Sequence, residues 1–395
     1  MPKPNPFTPK SGWEPKIFAG RKDEFKFLDK KLEEARNGRS DHFLVLGEWG
    51  IGKTSVLKEF KRIAQDKGFI SSMITVREFR KTEDLTDAVE HLVETIPSKL
   101  PLDLNKLKKF LSQIDSLGIQ VLGTGFQLSR TTERMDPQTF LLRCLHVLWD
   151  DLKDETDVLL VLLDDVQNFD RVSEIFTLIK NVLSDEEIVK TGYLFALSCT
   201  PEGWSKFMQL HHPIGRYFTP RLTLKRLSGE ECYHVIDRTL EETGVVFEEK
   251  IKEKVYEYTE GHPYELQVLC SNLYDNGIKG RVTLDQWSPA LNETLLNLGE
   301  MVWDAMYNGA SEQERKVLYA VASLDKPSSR KEITNFIEVC DLGLSGSVVG
   351  VLLGRLLEKG LLAKPDKYQY GLVDKLFREY ILRYRGYDGS GAVLG

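Results

Sequence analysis

The chain has 395 residues, 41% of them apolar and 29% charged, with a formal net charge of −7. That length calls for two or three cores rather than one, in the composition range of globular proteins. The acidic balance excludes a protein built wholly as a nucleic-acid coat while leaving room for one basic face, and no apolar run approaches the ~18 residues of a membrane span.

The opening MPKPNPFTPKSGWEPK is rich in Pro and Lys and lacks the apolar centre of a signal peptide. Residues 1–17 are expected to form an extended arm on a cytoplasmic protein with no membrane partner. The apolar run HFLVL then leads into GEWGIGKTS, Gly47 to Ser55. Gly47, Gly52, Lys53 and Thr54 fit G-x-x-x-x-G-K-[ST], and Gly50 adds a further glycine. Glycines let such a loop turn its N–H groups inward, and the helix expected over Lys53–Asp66 adds the positive end of its dipole. Glu48, Trp49, Ile51 and Ser55 complete the phosphate cradle. Lys53 is expected to reach the β- and γ-phosphates, and the Thr54 hydroxyl to ligate Mg²⁺.

FISSMITV (Phe69–Val76) reads as a second strand. Between Pro97 and Pro137, LNKLKKFLSQI reads as a helix and GIQVLGTGFQLS as a Gly-turned hairpin. This region is either an insertion that touches a partner or an edge decoration. VLLVLLDDVQNFD then holds six apolar residues, Val158–Leu163, the mark of a strand buried on both faces. It ends in Asp164 and Asp165, where ligands gather at the carboxyl edge of a parallel sheet. Beside a phosphate loop, Asp164 supplies the second metal-side carboxylate and Asp165 is placed to polarise water. Taken alone, the two acids read as caps of a strand or of the next helix. GYLFALSCT (Gly192–Thr200) is a further strand and RLTLKRL (Arg221–Leu227) a shorter one. Thr200, before Pro201, either reports on the γ-phosphate or is a plain turn residue. Helical patterns between these strands predict a three-layer α/β core with a parallel sheet. The five cysteines, Cys144, Cys199, Cys232, Cys270 and Cys340, are scattered without a CxxC pair, which predicts reduced core residues.

LSGEECYHVIDRTLEETG opens with a capping box, Ser228-x-x-Glu231, and continues with helical spacing. Two more helices are expected over about Glu248–Thr259 and Tyr264–Tyr274, on either side of GHPY. Beyond about Leu298, SEQERKVLYAVASL, SSRKEITNFIEVC and SGSVVGVLLGRLLEKG read as helices, and GLLAKPDKYQYGLV as two strands around a charged turn. That is the order of a winged helix. Its third helix offers Ser345, Ser347, Arg355 and Lys359, and its wing Lys364 and Lys367. These suffice for phosphate contacts on duplex DNA but are thin for reading base edges. Gly346, Gly350 and Gly354 mark close helix packing.

Together these residues resemble the archaeal-type P-loop ATPases of the AAA+/STAND group, relatives of the origin-recognition initiator ATPases. NPFTP followed by FAGRKDEF is similar to their Pro-rich arm and apolar-x-Gly-Arg-x-x-Glu signature, and GHPY to the Gly-x-Pro motif of their helical lid. The resemblance implies that Phe18, Gly20 and Arg21 lie near the adenine, that Thr200 is the sensor, and that Pro263 packs near the nucleotide with His262 close. It implies ATP rather than GTP. Such ATPases commonly carry Asp-Glu where this chain has Asp164-Asp165, so slow hydrolysis is expected. Arg216 is the candidate arginine finger by position and Arg221 the next; both read equally as surface arginines. The expected layout is an arm (1–17), a P-loop ATPase core (18–226), a helical lid (227–297), a winged helix (298–386) and a flexible tail (387–395). The expected function is a nucleotide-controlled switch with weak Mg²⁺-dependent ATPase activity, coupling lid closure to a DNA-binding winged helix. The alternatives are a signalling or scaffold ATPase with a protein partner or self-association, and a nucleotide-binding structural protein without turnover.

Overall fold

Strand-forming apolar runs recur between amphipathic helices along the first half of the chain, and in the computed structural model they meet in one parallel sheet. The structure describes residues 4–9, 17–18, 20–100, 119–121, 128–130, 136–210, 214–219, 221–277 and 280–386. They fall into two units: Arg21–Lys225, and Arg226 onward together with the residues up to Gly20.

The strands of the first unit are β1 (Phe43–Leu46), β2 (Ile70–Thr75), β3 (Ile119–Val121), β4 (Leu128–Arg130), β5 (Leu159–Asp164), β6 (Tyr193–Cys199) and β7 (Arg221–Thr223). Five form the sheet β2-β5-β6-β1-β7, every neighbouring pair parallel. Strands β5 and β6 are buried along their whole length, as apolar runs between two helical layers must be. Alternate residues of β5 serve the two faces. Leu159, Val161 and Leu163 join a core with helices Leu85–Ser98, Pro137–Leu152 and Ile175–Leu183. Leu160 and Leu162 join a core with helices Lys22–Arg36 and Lys53–Asp66. The architecture is the expected three-layer α/β sandwich. The strand expected over Arg221–Leu227 stops at Thr223, because only Arg221–Thr223 pair with β1 before the chain leaves the unit. The expected hairpin is present as the antiparallel pair β3–β4, while the helix expected in LNKLKKFLSQI lies outside the described residues.

In the second unit, helices Gly229–Leu240, Glu249–Thr259 and Pro263–Asp275 follow in the expected order. The Ser228–Glu231 capping box makes both of its hydrogen bonds. The arm packs here: Asn5 Nδ2 donates to the Ser271 carbonyl at 3.0 Å, and Phe7 is buried 6.0 Å from the Phe247 ring centroid.

One expectation is corrected. The boundary drawn at 297/298 falls inside a continuous helical run, Trp287–Leu298, then the wider π-turn Gly299–Trp303, then Asp304–Asn308. A Cβ on Gly299 would stand 2.6 Å from the Tyr380 ring. The glycine admits that ring, and the π-turn carries the helix past it.

Helices Glu312–Ser323, Arg330–Val339 and Gly346–Glu358 and a hairpin of two strands, Leu362–Asp366 and Gln369–Leu372, give the winged-helix order. A short strand, Ser328–Ser329, adds to the hairpin as a third strand. Capping boxes at Ser311 and Ser329 start the first two helices. The cysteine reading needs one correction. Four are buried, but Cys340 is exposed, because it caps the end of Arg330–Val339 where the apolar stripe has run out. Among the described residues no helix is long and apolar enough to cross a membrane.

Candidate nucleotide site

Strands β1, β5 and β6 run the same way, so the loop after β1, the acids at the end of β5 and Thr200 after β6 collect at one edge of the sheet. The loop Gly47–Ser55 is held by its backbone. The Gly47 N–H donates to the Cys199 carbonyl at 3.3 Å and the Ile51 N–H to the Glu48 carbonyl at 3.4 Å. Gly50 and Gly52 stand at φ +73° and +96°, where a side chain would be strained. A Cβ on Gly47 would sit 2.5 Å from Ile51 Cγ2.

Helix Lys53–Asp66 begins with Gly52 as its N-cap, with no side-chain cap and no acid in its first turn. Some helices elsewhere are capped by a side chain, as at Asp84, Asp136, Ser228 and Ser311, while Lys22–Arg36, Ile175–Leu183 and Glu249–Thr259 also lack one; among these, Lys53–Asp66 is the terminus that follows the glycine-rich loop. This terminus therefore keeps its N–H groups and dipole for a group from outside, an arrangement suited to phosphate.

Lys53 is 7% exposed, and its Nζ donates to the Gly47 and Glu48 carbonyls, both at 3.0 Å. Burial pushes the Lys53 pKa down, against the pull of Asp165 and Asp164. Asp164 is wholly buried, and burial raises its pKa, against the hydroxyls of Ser198 and Thr54 and the Lys53 ammonium. Its Oδ1 accepts a hydrogen bond from Ser198, while Oδ2 is buried with no partner at hydrogen-bonding geometry. A buried carboxylate oxygen left open beside the Thr54 hydroxyl is the oxygen donor set that Mg²⁺ takes, so these residues fit the ion.

Asp165 stands at φ +55°, in left-handed backbone that Asp adopts more readily than longer acids do. Its N–H donates to Ser198 Oγ at 3.0 Å, and its Oδ1 accepts from Gln167 Nε2 at 2.8 Å. Thr200 Oγ1 accepts the Gly203 N–H at 3.1 Å, so the residue starts helix Pro201–Leu210 as well as ending β6. Cys199, next to the loop, has its thiol pushed up to about 12 by burial and stays a neutral packing group.

Lys53, Thr54, Asp164 and Asp165 are thus brought together. Arg21 joins them differently from the expectation: its guanidinium donates to the Ile51 carbonyl at 3.1 Å and the Lys225 carbonyl at 3.0 Å. Arg216 stands exposed on the short helix Ile214–Tyr217, outside the bonds that tie the loop. Trp49 is 53% exposed. Phe18, Gly20 and Pro263 belong to the second unit. There Gly20, at φ +66°, faces the Glu231 carboxylate, which a Cβ would meet at 2.6 Å. GHPY has local roles of its own. Gly261, at φ +77°, lies so close to the Leu227 carbonyl that a Cβ would stand 1.9 Å from it. His262 caps the following helix, whose first residue is Pro263.

Two residues of the site escaped the sequence reading, Ser198 and Gln167. A hydroxyl inside the apolar run YLFALSC was the available signal for the first.

Residues 17–187 match the AAA ATPase domain family. Over 381 residues the chain is 22% identical to an uncharacterized HTH-type transcriptional regulator of Methanocaldococcus jannaschii, covering 92% of this chain and 88% of that protein. The Walker-type ATPase of Pyrococcus abyssi superposes with a TM-score of 0.65 at 14% identity, over 95% of this chain and all of that one. The ORC2 protein of Aeropyrum pernix, solved as ADPNP–ADP complexes, gives a TM-score of 0.64 at 17% identity over 95% of both chains. Residues 17–187 are thus similar to the AAA ATPase domain family, and the chain shares its fold with the P. abyssi Walker-type ATPase and the A. pernix ORC2 protein.

Proposed function

We propose that this chain binds ATP with Mg²⁺, hydrolyses it slowly, and uses the nucleotide state to set a helical lid and, through it, a winged helix that contacts duplex DNA. The observation that carries the proposal is the convergence of Lys53, Thr54, Asp164 and Asp165 beside an uncapped helix N-terminus. Lys53 exchanges its two carbonyl partners for the β- and γ-phosphates. Thr54 and Asp164 hold Mg²⁺, which when bound neutralises charge on the phosphate oxygens. Asp165, fixed by Ser198 and Gln167, orients the attacking water and accepts its proton. Phe18, Gly20 and Pro263 are assigned to the base side of the nucleotide, Thr200 to the γ-phosphate, and Arg216, with Arg221 after it, to the nucleotide of a neighbouring copy.

The ADPNP and ADP bound to the A. pernix protein on a similar fold support a nucleotide at this sheet edge. A single-turnover measurement with protein in excess tests hydrolysis: ADP should form slowly, and its absence would leave a nucleotide-binding protein without turnover.

The M. jannaschii relative's description as an HTH-type regulator supports the DNA assignment. The wing carries exposed Lys364 and Lys367 beside Tyr370 and Tyr368. Contacts of this kind go to phosphates, so affinity should fall steeply as salt rises. A second reading, a winged helix that binds protein, is favoured by the exposed face of the third helix, where Val351 is 57% exposed beside Arg355 and Glu358. Duplex binding that is undetectable at low salt, with and without ATP, would select it.

A further inference from the structure

Arg21 has an unusual set of partners. Its guanidinium is 6% exposed, and beyond Glu24 at 3.3 Å its hydrogen bonds go to two main-chain carbonyls, Ile51 at 3.1 Å and Lys225 at 3.0 Å. Ile51 lies between the two left-handed glycines of the phosphate loop. Lys225 is the last residue of the P-loop unit, one step past Leu224, whose N–H donates to the β1 carbonyl of Leu46 at 2.8 Å. A planar guanidinium can hold two carbonyls at a fixed separation, which a lysine ammonium on a flexible stem cannot.

We propose that Arg21 is a positioning residue that ties the phosphate loop to the exit of the P-loop unit, so that occupation of the loop by a nucleoside triphosphate is felt at Lys225. The inference rests on the nucleotide-binding reading of Gly47–Ser55. The chain of contact is short. Lys53 Nζ is bonded to the carbonyls of Gly47 and Glu48, and the Ile51 N–H is bonded to that same Glu48 carbonyl. When Lys53 leaves for a phosphate, the Glu48 carbonyl loses one partner and the turn Glu48–Ile51 readjusts. The Ile51 carbonyl is the end of that turn, and Arg21 grips it together with Lys225. Arg21 therefore acts on the nucleotide through the loop, not by touching the base.

The peptide bond after Lys225 is a trypsin site, which makes the exit a reporter. The test compares full-length wild type, Arg21→Met and Arg21→Lys, each titrated with ATP and Mg²⁺ through Trp49 fluorescence, and then digested briefly with and without saturating nucleotide. Cleavage after Lys225 is read by mass spectrometry. Wild type should change its cleavage rate there at least threefold when nucleotide is added. Arg21→Met should bind nucleotide about tenfold or more weakly and, at saturation, show no nucleotide-dependent change after Lys225. Arg21→Lys, which keeps the charge and one carbonyl bond, should fall between the two and serves if the methionine variant does not fold. A purely structural role would lower stability yet leave the nucleotide response of that bond intact. Wild-type affinity in both variants, or a wild-type response at saturation in either, would overturn the proposal. Failure of wild type itself to bind nucleotide would instead overturn the reading of the loop.

Discussion

A hydroxyl inside an apolar strand is costly unless both of its hydrogen-bond roles are filled. Ser198 fills both: it donates to Asp164 and accepts the Asp165 N–H, so one side chain sets the spacing of two acids with different proposed tasks. Removing it leaves Asp164 Oδ1 without its donor and the Asp165 N–H without an acceptor, at a cost of about 1–3 kcal/mol of stability. Under the proposed function, Ser198→Ala should lower turnover on the order of tenfold or more while nucleotide affinity changes far less, because Lys53 and the loop N–H groups are untouched. Parallel single-turnover and equilibrium titrations separate the two quantities, and unchanged turnover would deny Ser198 a positioning role. At this scale the sequence was partly legible. Lys53, Thr54 and the acids stand out because their spacing is local. Ser198 and Gln167 do not, because their roles depend on strand β6 lying against β5 and on the turn after β5, which only the folded register reveals. Arg21 was visible as part of a motif, but its partners, Ile51 and Lys225, are distant in sequence.

Among the elements, the two units carry titratable groups of opposite effect. His42, at the start of β1, accepts the Phe195 N–H on its Nδ1 at 3.1 Å. Burial pushes its pKa down to about 4, only partly offset by Asp41. The unfolded chain, with His near 6.5, then binds more protons than the folded one, so His42 stabilises fully above about pH 6.5 and that contribution is lost as pH falls toward 4. Asp374 caps helix Lys375–Tyr384 beside Glu265, with Arg226 and Glu260 also acting on it. Burial raises its pKa to about 6, against the Phe377 N–H and Arg226. Here the folded chain holds the extra proton, so the contribution is present at low pH and is lost as pH rises through 6. Calorimetry from pH 7 to 4.5 should show Asp374→Asn, which keeps a neutral cap, gaining on wild type as pH rises. A pH-independent difference between the two would refute this. Element boundaries were legible wherever a cap or a glycine set them locally: Lys53–Asp66, the box at Ser228 and the helix of SEQERKVLYAVASL fall where expected. The order β2-β5-β6-β1-β7 and the helical run through Gly299 were not, because a non-local neighbour decides each; for the helix it is the Tyr380 ring.

At the scale of the whole molecule, one unit carries a sheet edge that gathers Lys53, Thr54, Asp164 and Asp165, and the other ends in three helices, a β-hairpin and a last helix. Everything proposed downstream, from the lid to DNA, depends on the loop holding a triphosphate. Lys53 is the right residue to ask, since its ammonium bonds only loop carbonyls and its removal leaves the glycine backbone able to keep its shape. The decisive measurement is a calorimetric titration of ATP with Mg²⁺ into wild type and Lys53→Ala, with circular dichroism to establish that both are folded. Wild type should bind saturably, and the variant should lose affinity on the order of a hundredfold, about 2.7 kcal/mol. Equal affinity in the two folded proteins would contradict the proposal.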